Sequence, residues 1–247
     1  MPRANRSFCP GLIWHLTHRC HQREFLLKFA KDRRRWRHWL FEARRRYGLC
    51  VLNFIVTSNH IHLLVRDRGL GEIAASMRLV AARTAQEYNQ RKSRHGAFWS
   101  DRYHATAIQD DEHLARCMTY IDLNMVRAGA VQHPAEWDVS GYAEIQKPRQ
   151  RKSVIDLEVL CDLLGSTSIE QLAERMSSTA AAHISSTRHN PAWTKSVGVG
   201  DEAFLVNLQS RLGPRATHRH LKSADDLLVL KETNPSYSSQ KGTEKLD

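Results

Sequence analysis

Residues 49–65, LCVLNFIVTSNHIHLLV, decide the fold. Residues 49–57 and 61–65 are two short apolar, β-branched runs, and Thr57-Ser58-Asn59 between them is turn chemistry. The pair therefore reads as an antiparallel hairpin. Strand side chains alternate faces, so His60 and His62 project from one side while Ile61 and Leu63 enter the other. Working outward, residues 11–19 (GLIWHLTHR) alternate polar and apolar as a first strand. Residues 28–47 place Phe29, Trp36, Trp39, Leu40 and Ala43 on one side of a helix, and Gly48 stops it. Residues 70–89 repeat Ile73, Met77, Val80, Ala81 and Thr84 at helical spacing. Residues 104–108 form a fourth strand, and a helix runs on to Arg127 with Asp110 as its expected cap. The order βαβ-βαβ predicts an α+β protein with a ferredoxin-like or RRM-like antiparallel sheet and packed helices.

Past Tyr142 the pattern weakens. The run KPRQRK, residues 147–152, reads as an exposed linker. Short helices are expected at 155–164, 169–176 and 202–212, so residues 146–230 form a small helical extension. Residues 231–247 are polar enough to be disordered. The main domain is residues 1–145.

Charge narrows the partners. Residues 1–152 hold 27 of the 37 Lys and Arg but 14 of the 26 Asp and Glu. A basic front half with a near-neutral remainder suits a polyanion. Five scattered cysteines without a CxxC pair point to reduced thiols in a cytoplasmic protein rather than a disulfide scaffold. No apolar run approaches the roughly 18–20 residues that span a membrane.

His60 and His62, two apart on one strand face, can bind one divalent cation through neutral imidazole nitrogens. Two histidines on a half-exposed strand would give the same pattern. It gains meaning only with a third ligand and a nucleophile. The helix after the fourth strand offers both. Tyr120 and Asn124 are four apart and share a helix face, with His113, Arg116 and Arg127 close by. A phenol can attack phosphorus when a cation polarises the phosphate. Asn124 offers a carbonyl oxygen. Both lie off the apolar stripe of Leu114, Cys117, Ile121 and Met125.

The segments NHIHLLV, FWSDRYHATAI and YIDLNMVRAG, in this order, resemble the REP-associated tyrosine transposases of the single-tyrosine HUH family. WHLTHRC and WDVSGYAEI also fit, so the resemblance covers roughly residues 8–145. It implies that His60 and His62 hold Mg²⁺ or Mn²⁺, that Tyr120 is the nucleophile, and that Asn124 stands where relatives place a polar third ligand, glutamine in some. The implied chemistry is attack on a single-stranded DNA phosphodiester, giving a 5′-phosphotyrosine and a free 3′-hydroxyl. Relatives act on hairpin-forming repeats, and they include monomers and homodimers.

Among the basic and aromatic residues, Arg19, Arg102, Arg127, Trp99 and Tyr103 are the expected DNA contacts, because single strands favour stacking platforms beside cations. Trp14 and Phe98 could stack or simply be buried. Three other readings compete. His15-Leu16-Thr17 and His104-Ala105-Thr106 match the short pattern of a metal-independent two-HxT phosphoesterase. A non-catalytic RRM-like nucleic-acid binder would need only the basic face. His15, His18, Cys20 and His21 could hold structural zinc, although four donors within seven residues of a strand cannot easily wrap one tetrahedral ion.

Overall fold

The computed structural model describes residues 8–185, 190–213 and 219–232. Through the fourth strand the elements follow the sequence pattern: β1 (Ile13–Arg19), α1 (Ala30–Tyr47), β2 (Cys50–Val56), β3 (His60–Arg66), α2 (Glu72–Arg91) and β4 (His104–Ile108). Gly48 takes a left-handed conformation, φ 70°, and its N–H closes α1 on the Arg44 carbonyl. The next helix is split. α3 (Glu112–Asp122) and α4 (Asn124–Arg127) meet at Leu123. The expected Asp110 cap does not form, because the chain turns at Asp111, whose φ is 55°, and α3 starts from there.

The strand order β2-β3-β1-β4 with all-antiparallel pairing is the ferredoxin-like sheet that the element order predicts. Register places Thr17 opposite His62 and Arg19 opposite His60, and on the far side His15 opposite Thr106. Directly paired residues share a face. One face therefore carries His15, Thr17, His60, His62, His104 and Thr106. The other carries Trp14, Leu16, Phe54, Leu63 and Val65, buried under α1 and α2, which also pack on each other. Trp36 of α1 meets Phe54 at 6.3 Å between ring centroids. Each such fully buried side chain contributes roughly 1.5–3 kcal/mol. α3 covers the polar face through β2 and β4.

The extension differs from the expected helical appendage. After α5 (Gly141–Gln146), which ends the main domain, it contains α6 (Leu157–Leu164), α7 (Ile169–His183), α8 (Ala192–Lys195) and α9 (Glu202–Leu212), but also β5 (Gly198–Val199), β6 (Arg219–Ala224) and β7 (Leu227–Glu232). β5 pairs parallel to β4, and β7 with β6 continues the sheet to seven strands. β4 is an edge strand of the four-stranded core, and the extension covers its unpaired backbone groups. Residues 147–152 are exposed, as a linker should be. The stretch expected to be disordered begins inside β7, and its remainder, residues 233–247, lies outside the described residues.

Glu144 fastens α5 to the core. It is 2% exposed; its Oε2 lies 2.5 Å from Arg37 Nη2 of α1, and its Oε1 accepts from the N–H groups of Val154 and Ile155. Burial pushes the carboxyl up, but Arg37 and the two N–H groups outweigh it and hold it below 4.5. Glu144→Ala takes the carboxylate from half-buried Arg37, which keeps only the Lys152 carbonyl, and leaves two buried N–H groups unpaired. The loss should be about 3 kcal/mol, read as a fall of roughly 6–12 °C in melting midpoint. A depressed carboxylate stabilises above its unfolded value, so in the native protein this contribution should fade as pH drops below 4.5.

Candidate active site

The polar face of the sheet and α3 converge on a compact cluster. His62 is buried at 2% exposure, and its ring centroid lies 4.9 Å from that of half-buried His60 and 5.7 Å from that of Tyr120. Asn124 Nδ2 is 3.1 Å from His62 Nε2. Four residues drawn from β3, α3 and α4 thus meet, although the helix expected to carry Tyr120 and Asn124 breaks between them.

Hydrogen bonds assign the imidazole protons. The Thr57 hydroxyl donates to the His60 carbonyl, so it accepts from His60 Nδ1 at 2.9 Å; Asn59 Oδ1 lies 2.7 Å from the same nitrogen. His60 therefore carries its hydrogen on Nδ1. His62 Nδ1 lies 2.9 Å from His15 Nε2, and His62 Nε2 receives the Asn124 amide. Both rings thus have Nδ1 engaged by an outer partner, as metal-binding histidines commonly do. A half-turn of the Asn124 amide would bring Oδ1 in place of Nδ2. The donor set suits a cation that accepts nitrogen and oxygen ligands. Among the described residues no group of three or more His, Cys, Asp and Glu could hold a metal ion.

Tyr120 is buried, at 5% exposure, and this departs from the expectation that it lies off the core stripe. The stripe holds for the helix alone, but the extension adds a cover. The Trp193 ring of α8 lies 6.3 Å from the Tyr120 ring. Burial pushes the phenol up to about 12, against the opposing pull of the Arg127 guanidinium 4.7 Å over the ring. Arg127 also donates to the Tyr120 carbonyl. A cleft of about 330 Å³ reaches Tyr120 between Arg116, Arg127, His183, Trp193 and Asp226.

The other expected contacts gather at the end of β1. Ser100 N–H donates to the Arg19 carbonyl, Cys20 bridges to Trp99, and the His18 ring stacks on Trp99 at 4.1 Å. Arg19 and Arg102 are exposed, and Trp99 and Tyr103 are half-buried. Trp99 Nε1 donates to the Ala81 carbonyl, which fixes the ring as part of a wall. Trp14 and Phe98 are buried. Arg127 sits apart from this group, against Tyr120.

The competing motifs are accounted for. The two HxT segments lie side by side, but His104 Nε2 and Thr106 Oγ1 both donate to the Ser196 carbonyl, and both His15 nitrogens are engaged. His15 and His18 face opposite sides of the sheet, so no zinc site forms from that group. None of the five cysteines is paired, and among the described residues no helix is long and apolar enough to cross a membrane. The sequence pattern gives no sign of Trp193 and Ser196, whose signal is tertiary.

Comparison with known proteins bears on the same residues. No curated protein matches the chain. Among solved structures, a REP-associated tyrosine transposase bound to a REP hairpin is similar, at 18% identity and a TM-score of 0.49 over 63% of this chain and 94% of that one. A protein of Deinococcus radiodurans R1 described as a transposase is similar at 17% identity and a TM-score of 0.35, covering 48% of this chain and 95% of that one. Residues 9–124, which carry both histidines, Tyr120 and Asn124, match the family of IS200-like transposases, and the resemblance read from the motifs is borne out.

Proposed function

We propose that this chain is a transposase that cuts and rejoins single-stranded DNA through Tyr120, acting on hairpin-forming repeats, with a divalent cation, Mg²⁺ or Mn²⁺, held by His60, His62 and Asn124. The observation that carries this reading is the convergence of one phenol, two imidazoles and one amide in a single cluster. The family match over residues 9–124 and the basic front half support DNA as substrate. Bound there, a cation supplies positive charge to the phosphate and to the charge that develops on it. Tyr120 oxygen forms a bond to phosphorus as the bond to the 3′ oxygen breaks. The phenol gives up its proton, the 3′ oxygen takes one, and a 5′-phosphotyrosine remains. Attack by another 3′-hydroxyl reverses these changes and joins strands without a nucleotide cofactor. Arg127, over the phenol ring, favours the developing negative oxygen.

The test is incubation with hairpin-bearing single-stranded DNA and Mn²⁺. A protein–DNA adduct that survives denaturation and disappears with EDTA is the expected result. A non-catalytic binder would give a gel shift alone, and a two-HxT enzyme would hydrolyse small phosphoesters without metal. Either outcome would end the proposal.

Binding should also be salt-dependent through exposed Arg19 and Arg102. Each arginine in contact with a phosphate adds about 0.7 to the slope of log K against log salt for single strands. Arg19→Ala and Arg102→Ala should each lower the slope, measured by fluorescence anisotropy, by about that amount.

A further inference from the structure

We propose that His15 is a positioning residue that fixes the tautomer of His62 and ties the cation site to the C-terminal segment; this rests on the reading of His60 and His62 as ligands. His15 is fully buried in β1. Its Nδ1 lies 2.8 Å from the Trp193 carbonyl oxygen of α8. A carbonyl oxygen only accepts, so Nδ1 carries hydrogen. On the far side of the neighbouring His62 ring the Asn124 amide donates to His62 Nε2, so the hydrogen between the two imidazoles belongs to His62 Nδ1 and His15 Nε2 is an acceptor. Facing that acceptor at 2.9 Å is His62 Nδ1, which must donate. His62 is then left with a bare Nε2. The Asn124 Nδ2 donor lies 3.1 Å from that nitrogen.

The two candidate ligands are therefore held by different means. His60 is oriented within its own hairpin, by Thr57 and Asn59. His62 is oriented by His15, which is itself tied to Trp193 across 178 residues of sequence. The position of the Trp193 carbonyl is itself secured nearby, since His104 and Thr106 of β4 both donate to the Ser196 carbonyl. The HxT-like residues thus act together, holding the segment whose carbonyl sets the imidazole chain. Outer partners of metal-binding histidines typically change metal affinity by about 10–100-fold when removed.

Two measurements test this on the full chain. In metal-free protein labelled with ¹⁵N-histidine, long-range proton–nitrogen correlation spectra should show His62 with hydrogen on Nδ1 and none on Nε2. In His15→Phe, which keeps a flat ring but no nitrogen, His62 should shift toward a mixture of tautomers. Mn²⁺ affinity, read from the paramagnetic resonance signal of free ion, should fall by about 10–100-fold. His15→Gln, whose amide oxygen can accept from His62 Nδ1, should recover most of that affinity. A wild-type His62 with hydrogen on Nε2, or Mn²⁺ affinity unchanged in His15→Phe, would overturn the proposal. The tautomer spectrum of the wild type needs neither metal nor a folded variant. A wild type with the expected tautomer but no Mn²⁺ binding would instead defeat the cation-site reading.

Discussion

Tyr120→Phe should abolish the denaturation-resistant DNA adduct, by at least about 10³-fold in yield, while leaving DNA affinity within about threefold. The substitution removes one oxygen and nothing else. The ring keeps its place beside Trp193 and under Arg127, and α3 keeps its buried face of Leu114, Cys117 and Ile121. A phenol on this helix with only a packing role would tolerate the change. Stability should move by no more than about 1 kcal/mol, the usual worth of one hydroxyl hydrogen bond. Thermal melts beside the adduct assay separate lost chemistry from lost folding. Adduct formation at the wild-type level in Tyr120→Phe would remove Tyr120 from the mechanism.

The second large effect is expected for His62→Ala. This side chain stands at the centre of the cluster, between His15 on one edge and Asn124 on the other. Its loss takes away one ligand nitrogen and leaves the fully buried His15 Nε2 without its donor. Mn²⁺ affinity should fall by more than about 100-fold, beyond the range seen for outer partners. The unsatisfied acceptor should cost about 1–3 kcal/mol of stability. His60→Ala should weaken Mn²⁺ binding comparably with less effect on folding, because His60 is half-buried and its partners belong to its own turn. Equal metal binding in wild type and His62→Ala, measured by titration of folded proteins, would contradict the ligand assignment.

Local periodicity made the core legible in the sequence. Alternation in residues 11–19 and 49–65 and the 3.6-residue repeat in 70–89 are properties of neighbouring residues, and the strands and helices appear where those repeats run. The His-Ile-His spacing likewise fixes which side chains share a face. The extension was less legible for a physical reason. β5 is two residues long and exists because β4 offers a bare edge. α8 is one turn and is held by side chains of β1 and β4 far away in sequence. No repeat within residues 190–200 encodes either. The burial of Tyr120 follows from the same segment, so a helix-face argument confined to 112–127 could not foresee it. His15 shows the limit most clearly. Its HxT spacing suggested one chemistry, while its actual partners, Trp193 and His62, are set by the sheet and the fold-back of the chain.

On the proposed mechanism the Tyr120 oxygen becomes bonded to phosphorus at the cluster around His60 and His62. Proteolysis of the adduct formed with hairpin DNA and Mn²⁺, followed by nuclease trimming and fragment mass spectrometry, reads that bond at the level of a single residue. The remnant nucleotide should be found on the tyrosine of the Cys117–Asp122 stretch, at Tyr120. A remnant on Tyr103, or on any other side chain, would contradict it.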